Sequence, residues 1–159
     1  MPTRARVIGI GEPSRGDDGV GLAVLGELRA RGAPPGTELI EARDPSALVN
    51  LLVGIPLAIL VDAVAGGGPP GSVLILHPED LEGAGVRPLS SHGIGVPGAI
   101  DLARTLFPEH AARRIEVVGI AIPFPAPPAA GTGLSPDVAR AVPAAAEQVL
   151  SLLGTPGGE

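Results

Sequence analysis

The chain has 159 residues, with 24 glycines, 19 prolines, a formal net charge of −6 and no cysteine, lysine, tryptophan or tyrosine. Those absences exclude a disulfide framework, a thiolate nucleophile, a zinc–cysteine site, a Schiff-base lysine and a P-loop lysine. The acidic balance, with no arginine cluster, argues against a nucleic-acid partner.

The length suits one ordinary domain with a sizeable core. So much glycine and proline would suggest low complexity, but 45% of residues are hydrophobic and the mean hydropathy is +0.37. The apolar residues gather into strand-length and helix-length runs, so a folded domain with Gly/Pro-rich loops is expected. The basic start, Met1 to Arg6, precedes an apolar run too short for a signal peptide. The longest apolar run, Ile55–Val61, contains Pro56 and ends at Asp62, far short of a membrane span. A soluble cytoplasmic protein with no membrane partner is expected, as a monomer; the lack of cysteine leaves the redox compartment open.

In chain order, Arg4–Ile10 reads as a buried strand that breaks into the glycine-rich stretch Gly9-Ile10-Gly11-Glu12-Pro13-Ser14-Arg15-Gly16-Asp17-Asp18-Gly19. A helix is predicted from Asp17 to about Ala30, with both acids near its N-terminus, where the dipole favours negative charge. After a turn at Gly32–Gly36, Thr37–Ala42 reads as a strand and Pro45–Val53 as a short helix capped by Asp44. Leu57–Asp62 is the cleanest buried strand, nearly every position being apolar. Ala63–Gly71 reads as a loop, Ser72–Leu76 as a strand and Pro78–Gly85 as an acidic loop. Ser90-Ser91-His92-Gly93 precedes a helix from Val96 to Phe107. Arg114–Ile122 is a β-branched strand, Pro123–Gly133 a loop, and Ser135-Pro136 opens a last helix to about Leu153. Alternating strands and helices predict a single three-layer α/β domain, residues 1–153, and a frayed tail, 154–159. Its mostly parallel twisted sheet has about five strands, flanked by helices.

Several chemistries fail on spacing. A dinucleotide fingerprint needs a glycine where Ser14 stands, and a P-loop needs Lys-Ser/Thr where Asp17-Asp18 stand; two carboxylates there repel a phosphate. There is no G-x-S-x-G elbow, and Ser90 and Ser91 lie in no triad motif. His110 reads as a surface residue and His77 as a turn residue. Asp17, Asp18, Asp62 and His92 remain, on three segments that an open α/β sheet can bring to one end. Two carboxylates and an imidazole suit a divalent transition metal with open positions. The same residues also admit a structural role: two acids charging a helix N-terminus, an aspartate capping a loop and a loop histidine.

The chain resembles the nickel–iron hydrogenase maturation endopeptidases. The likeness rests on Gly9-Ile10-Gly11, Arg15-Gly16-Asp17-Asp18-Gly19-Val20-Gly21, Leu60-Val61-Asp62-Ala63-Val64 and Ser91-His92-Gly93. It continues through Val118-Gly119-Ile120 and Gly133-Leu134-Ser135-Pro136 with Val138. The blocks keep the family's order over nearly the whole chain. The resemblance implies an aspartic-type, nickel-dependent endopeptidase that removes the C-terminal extension of a hydrogenase large-subunit precursor after nickel insertion. It implies that nickel arrives in the precursor, with Asp18, Asp62 and His92 as metal-contacting and catalytic residues and Asp17 as support for the loop. Such a metal polarises a scissile carbonyl or lowers the pKa of a bound water to about 7; a carboxylate can instead act as general base.

Three positions depart from the family pattern: Glu12 replaces an asparagine, Arg43-Asp44-Pro45-Ser46 replaces Asp-Gly-Gly-Thr, and Ala121 replaces a glutamate. Glu12 motivates an alternative, a non-catalytic metal-binding maturation chaperone. A nucleoside or nucleotide enzyme on a similar fold is a further alternative.

Overall fold

The computed structural model describes residues 2–43, 45–82, 86–88, 95–123 and 133–154. Its strands are β1 (Ala5–Ile10), β2 (Thr37–Ala42), β3 (Leu57–Ala65), β4 (Val73–Leu76), β5 (Arg87–Pro88) and β6 (Arg114–Ala121). The helices are α1 (Val20–Arg31), α2 (Leu48–Leu51), α3 (Gly95–Leu106) and α4 (Pro136–Gly154). The sheet runs β2–β1–β3–β6–β4, with the two-residue β5 paired to the end of β3. β2, β1, β3 and β6 are mutually parallel, and the edge strand β4 is antiparallel to β6. The predicted α/β architecture is the observed one.

Side-chain alternation along β3 divides the core into two layers. Ala58, Leu60 and Val64 join Leu48 of α2 and Val96, Ala99, Ile100 and Ala103 of α3 on one face. Ile59, Val61 and Ala63 join Val20, Val24, Leu25 and Leu28 of α1 and the small residues Ala141, Ala145 and Ala146 of α4 on the other. Both faces of β3 are therefore dry, which is why its sequence is almost continuously apolar. Each fully buried Leu or Ile contributes about 1.5–3 kcal/mol of transfer free energy.

Three boundaries differ from expectation. β3 does not stop at Asp62 but continues through Ala65, because β6 pairs it as far as Val64–Ala121 and β5 pairs Val64 and Ala65. The segment Ala63–Gly71 is thus strand at its start. Pro45–Ala47 is a 3₁₀ turn and only Leu48–Leu51 is α-helical, while Val53 forms an isolated bridge to Ala111. Within the expected acidic loop, Pro78–Glu82 forms a 3₁₀ turn. The expected cap Asp44, most of the 123–133 loop and residues 155–159 of the tail lie outside the described residues; Gly154 ends α4.

The topology locates a crevice. From β1 the chain crosses to β2 on one side and then returns to β3 on the other. At such a reversal, the connections leaving the carboxyl ends of adjacent strands diverge and leave room for a ligand.

Candidate active site at the carboxyl ends of β1 and β3

The loop leaving β1 is shaped by glycines. Gly11 has φ +147°, and a Cβ there would overlap the carbonyl oxygen of Asp18. Its N–H donates to the Ala42 carbonyl at the end of β2 (3.3 Å). Pro13–Gly19 forms a 3₁₀ stretch interrupted at Arg15 and at Gly16, whose φ of +63° a side chain would disfavour. α1 therefore begins at Val20, not at Asp17, and the acid pair sits in the turn ahead of it. The expectation that both acids charge the first turn of α1 is corrected accordingly.

That turn holds Asp18 firmly. Its Oδ2 accepts a hydrogen bond from the Glu12 N–H (3.0 Å), which leaves Oδ1 as its second acceptor. Glu12, in turn, is the cap of the 3₁₀ stretch: its Oε1 accepts from the Ser14 N–H (3.2 Å) and the Ser14 hydroxyl (3.0 Å). The departure from the family's asparagine thus has a local structural role. A side-chain acceptor caps such a stretch, and the Glu12 carboxylate supplies it to Ser14.

The Ser14 amide, then the Ser14 hydroxyl, hold the Glu12 carboxyl below its ordinary value of 4.5, with smaller help from Arg43 and Arg15. A carboxylate whose pKa is lowered by folding stabilises the fold above its unfolded value and loses that contribution as pH falls through the folded value. The Tm difference between wild type and Glu12→Gln is therefore expected to be constant above about pH 4.5 and to shrink below it. A difference that widens on acidification would contradict this role.

Asp17 takes a different partner. Its Oδ1 accepts from the N–H of Ser135, 118 residues away, at 2.7 Å.

Asp62 lies one residue beyond the last β1–β3 pair, Gly9–Val61, and opposite Gly119 of β6. It is wholly buried, and alternation turns it, like Leu60 and Val64, towards the α2/α3 layer. The start of α1 packs on the opposite layer of the same strand: a Cβ on Gly21 would meet the carbonyl oxygens of Val61 and Ile10, so the helix that follows the Asp18 turn is held against the backbone of β1 and β3. Asp18 thus lies beyond the carboxyl end of β1, and Asp62 in the carboxyl-end half of the adjacent β3.

His92, with Ser90 and Ser91, lies outside the described residues. The chain enters that segment from Pro88, opposite Val64, and leaves it at Gly95, the start of α3. Among the described residues, no three His, Cys, Asp or Glu side chains group closely enough to hold a metal ion.

Composition gave no hint of Glu116, which is almost fully buried on β6. Its Oε1 lies 3.1 Å from Nδ1 of His77 and 3.5 Å from Nε of Arg114. The only signal was an acid at one position of a β-branched run, which alternation alone reads as solvent-facing. His77 also makes the expected turn, its N–H donating to Asp80 Oδ2 (3.0 Å). His110 is exposed, as expected.

The fold is an α/β domain whose mostly parallel sheet is flanked by helices on both faces, with Asp17 and Asp18 in the turn after β1 and Asp62 on the adjacent β3. The chain belongs to the hydrogenase maturation protease family, whose model matches residues 22–152. Asp62 and His92 fall inside that match; Asp17 and Asp18 precede it.

Solved structures agree on the fold. The hydrogenase maturating endopeptidase HybD from E. coli is 24% identical with a TM-score of 0.76, over 95% of this chain and 92% of that one. The [NiFe] hydrogenase maturation protease HybD from Thermococcus kodakarensis is 25% identical with a TM-score of 0.71, over 94% and 99%. A hydrogenase 2 maturation peptidase from a Thaumarchaeota archaeon is 27% identical with a TM-score of 0.64, over 96% and 99%. No curated protein sequence gives a match. Among the described residues, no helix is long and apolar enough to cross a membrane.

Proposed function

We propose that this protein removes the C-terminal extension of a nickel–iron hydrogenase large-subunit precursor, acting in the cytoplasm as a monomer on a precursor that already holds nickel. Family membership supports proteolysis. The site reading is supported by the position of the Asp18 turn after β1 and of the buried Asp62 near the carboxyl end of the adjacent β3. In this reading Asp18, Asp62 and His92 engage the metal presented by the substrate. Oxygen and imidazole donors suit a borderline divalent ion, and few protein donors leave positions for the precursor's own groups.

The roles of the chain's own residues follow from their surroundings. Asp18 has one oxygen fixed by the Glu12 amide and offers the other. Asp62, out of contact with bulk water, offers a carboxylate whose field is little screened. Either is suited to accept a proton from an attacking water. Bound nickel supplies Lewis-acid polarisation of a carbonyl or water. With neither cysteine nor lysine in the chain, a thiolate or amine nucleophile is excluded.

The test is incubation with matched nickel-loaded and nickel-free precursors, read by mass at the precursor C-terminus. Shortening of the loaded form only, and its loss in His92→Ala, is the expected result. No shortening, or equal shortening of both forms, overturns the proposal. The chaperone alternative drew its motive from Glu12, which now has a structural role in capping the acid turn.

A further inference from the structure

The mechanism above uses Asp18 and leaves its neighbour without a task. Residues of a 3₁₀ stretch advance three per turn, so adjacent side chains point about 120° apart. Asp17 and Asp18 consequently face different surroundings. Asp18 bonds back within its own loop, whereas Asp17 reaches the residue immediately before α4.

The place it reaches is a firm anchor. α4 is 19 residues long and opens with Pro136, which has no N–H to satisfy. Its N-terminus carries the positive end of the helix dipole, equivalent to about half an elementary charge. Ser135 is the preceding residue, and its carbonyl accepts the N–H of Ala139 (2.8 Å). The serine hydroxyl, which normally caps such a helix, is buried with no hydrogen-bond partner among the described residues. The carboxylate of Asp17 adds to the negative charge at this helix end, where Asp137 stands in the first turn. The start of α4 is itself wedged against the sheet: a Cβ on Gly71 would lie 2.7 Å from the carbonyl of Asp137, and the Gly71 N–H donates to Ala121 at the end of β6 (2.8 Å).

We propose that Asp17 is a positioning residue for the reaction, which fixes the Asp18 turn to the N-terminus of α4 without touching the substrate. The inference rests on the proteolytic reading of the site. It accounts for the adjacent acids as two different devices: one carboxylate offered to the crevice, the other spent on a charge-assisted hydrogen bond across the top of the sheet. Without that tie, Asp18 is free to drift from the position that meets the substrate.

The test uses the full chain with nickel-loaded precursor and compares Asp17→Ala, Asp17→Asn and Asp18→Asn. Asp17→Ala is expected to lower kcat about 10- to 100-fold, the usual loss when a supporting partner is removed, with KM changed by less than about threefold. Asp17→Asn keeps an acceptor for the Ser135 N–H and is expected to restore kcat to within about threefold of wild type. Asp18→Asn is expected to stay inactive.

Amide hydrogen exchange at Ser135 gives a readout independent of turnover, fast in Asp17→Ala and protected in wild type and Asp17→Asn. Asp17→Asn as inactive as Asp18→Asn would make Asp17 a reacting group and overturn the proposal. So would full activity in Asp17→Ala, or equal Ser135 protection in all variants. Should Asp17→Ala not fold, the Asp17→Asn and Asp18→Asn pair still decides. If wild type processes no precursor, the proteolytic reading fails, while Ser135 exchange still tests the tie.

Discussion

Replacing Asp62 by asparagine is expected to abolish processing while leaving the fold intact. The side chain is 0% exposed in the middle of a nine-residue strand, between Leu60 and Val64. Asparagine keeps the shape and most of the hydrogen-bonding capacity but not the charge. If Asp62 served only the fold, its loss would leave turnover unchanged. If it serves the reaction, turnover falls by about 10²–10⁴-fold, the range a positioned acid or base contributes. Processing within a few-fold of wild type would remove Asp62 from the site.

The second large effect concerns two glycines on one helix. Gly21→Ala places a Cβ 2.5 Å from the Ile10 carbonyl oxygen and closer still to that of Val61. Both obstacles are backbone in hydrogen-bonded strands and cannot swing aside. Overpacking costs about 1–3 kcal/mol even where side chains can adjust, so a loss of about 3 kcal/mol or more is expected. That outweighs the roughly 1 kcal/mol that alanine gains over glycine in a helix. Gly26, five residues on, is exposed with nothing within 4 Å of its would-be Cβ. There Gly26→Ala keeps only the gain, about 0.4–1 kcal/mol. At about 2–4 °C per kcal/mol for a domain of this size, thermal melts should move clearly down for the first variant and slightly up for the second. Equal shifts would show that α1 does not sit on β1 and β3 as described. Gly21→Ala should also impair processing, because α1, which this contact seats on β1 and β3, follows directly on the Asp18 turn.

How much of this could be read from the chain alone follows from what each residue's environment depends on. Strands buried on both faces announce themselves, since continuous apolar runs such as Leu57–Val61 have no other comfortable place in a folded domain. An open α/β sheet allows the first and third strands to be neighbours, and they are. The resemblance to the maturation endopeptidases rested on motif order, and the match over residues 22–152 agrees with it.

Other features depended on partners distant in sequence. The extension of β3 past Asp62 required β5 and β6 as neighbours. The start of α1 at Val20 required the kink at Gly16, set by the close approach of Gly11 and Asp18. The burial of Glu116 required His77 and Arg114 beside it. Glu12 looked like an unexplained charge until the Ser14 bonds placed it as a cap.

By itself, the sequence determined the fold class and the acid loop, because hydrophobic periodicity and glycine spacing are local properties of the chain. Only the tertiary structure decided that Asp17 is tied to the residue before α4. Hydrogen-bond partners 118 residues apart leave no mark in local sequence.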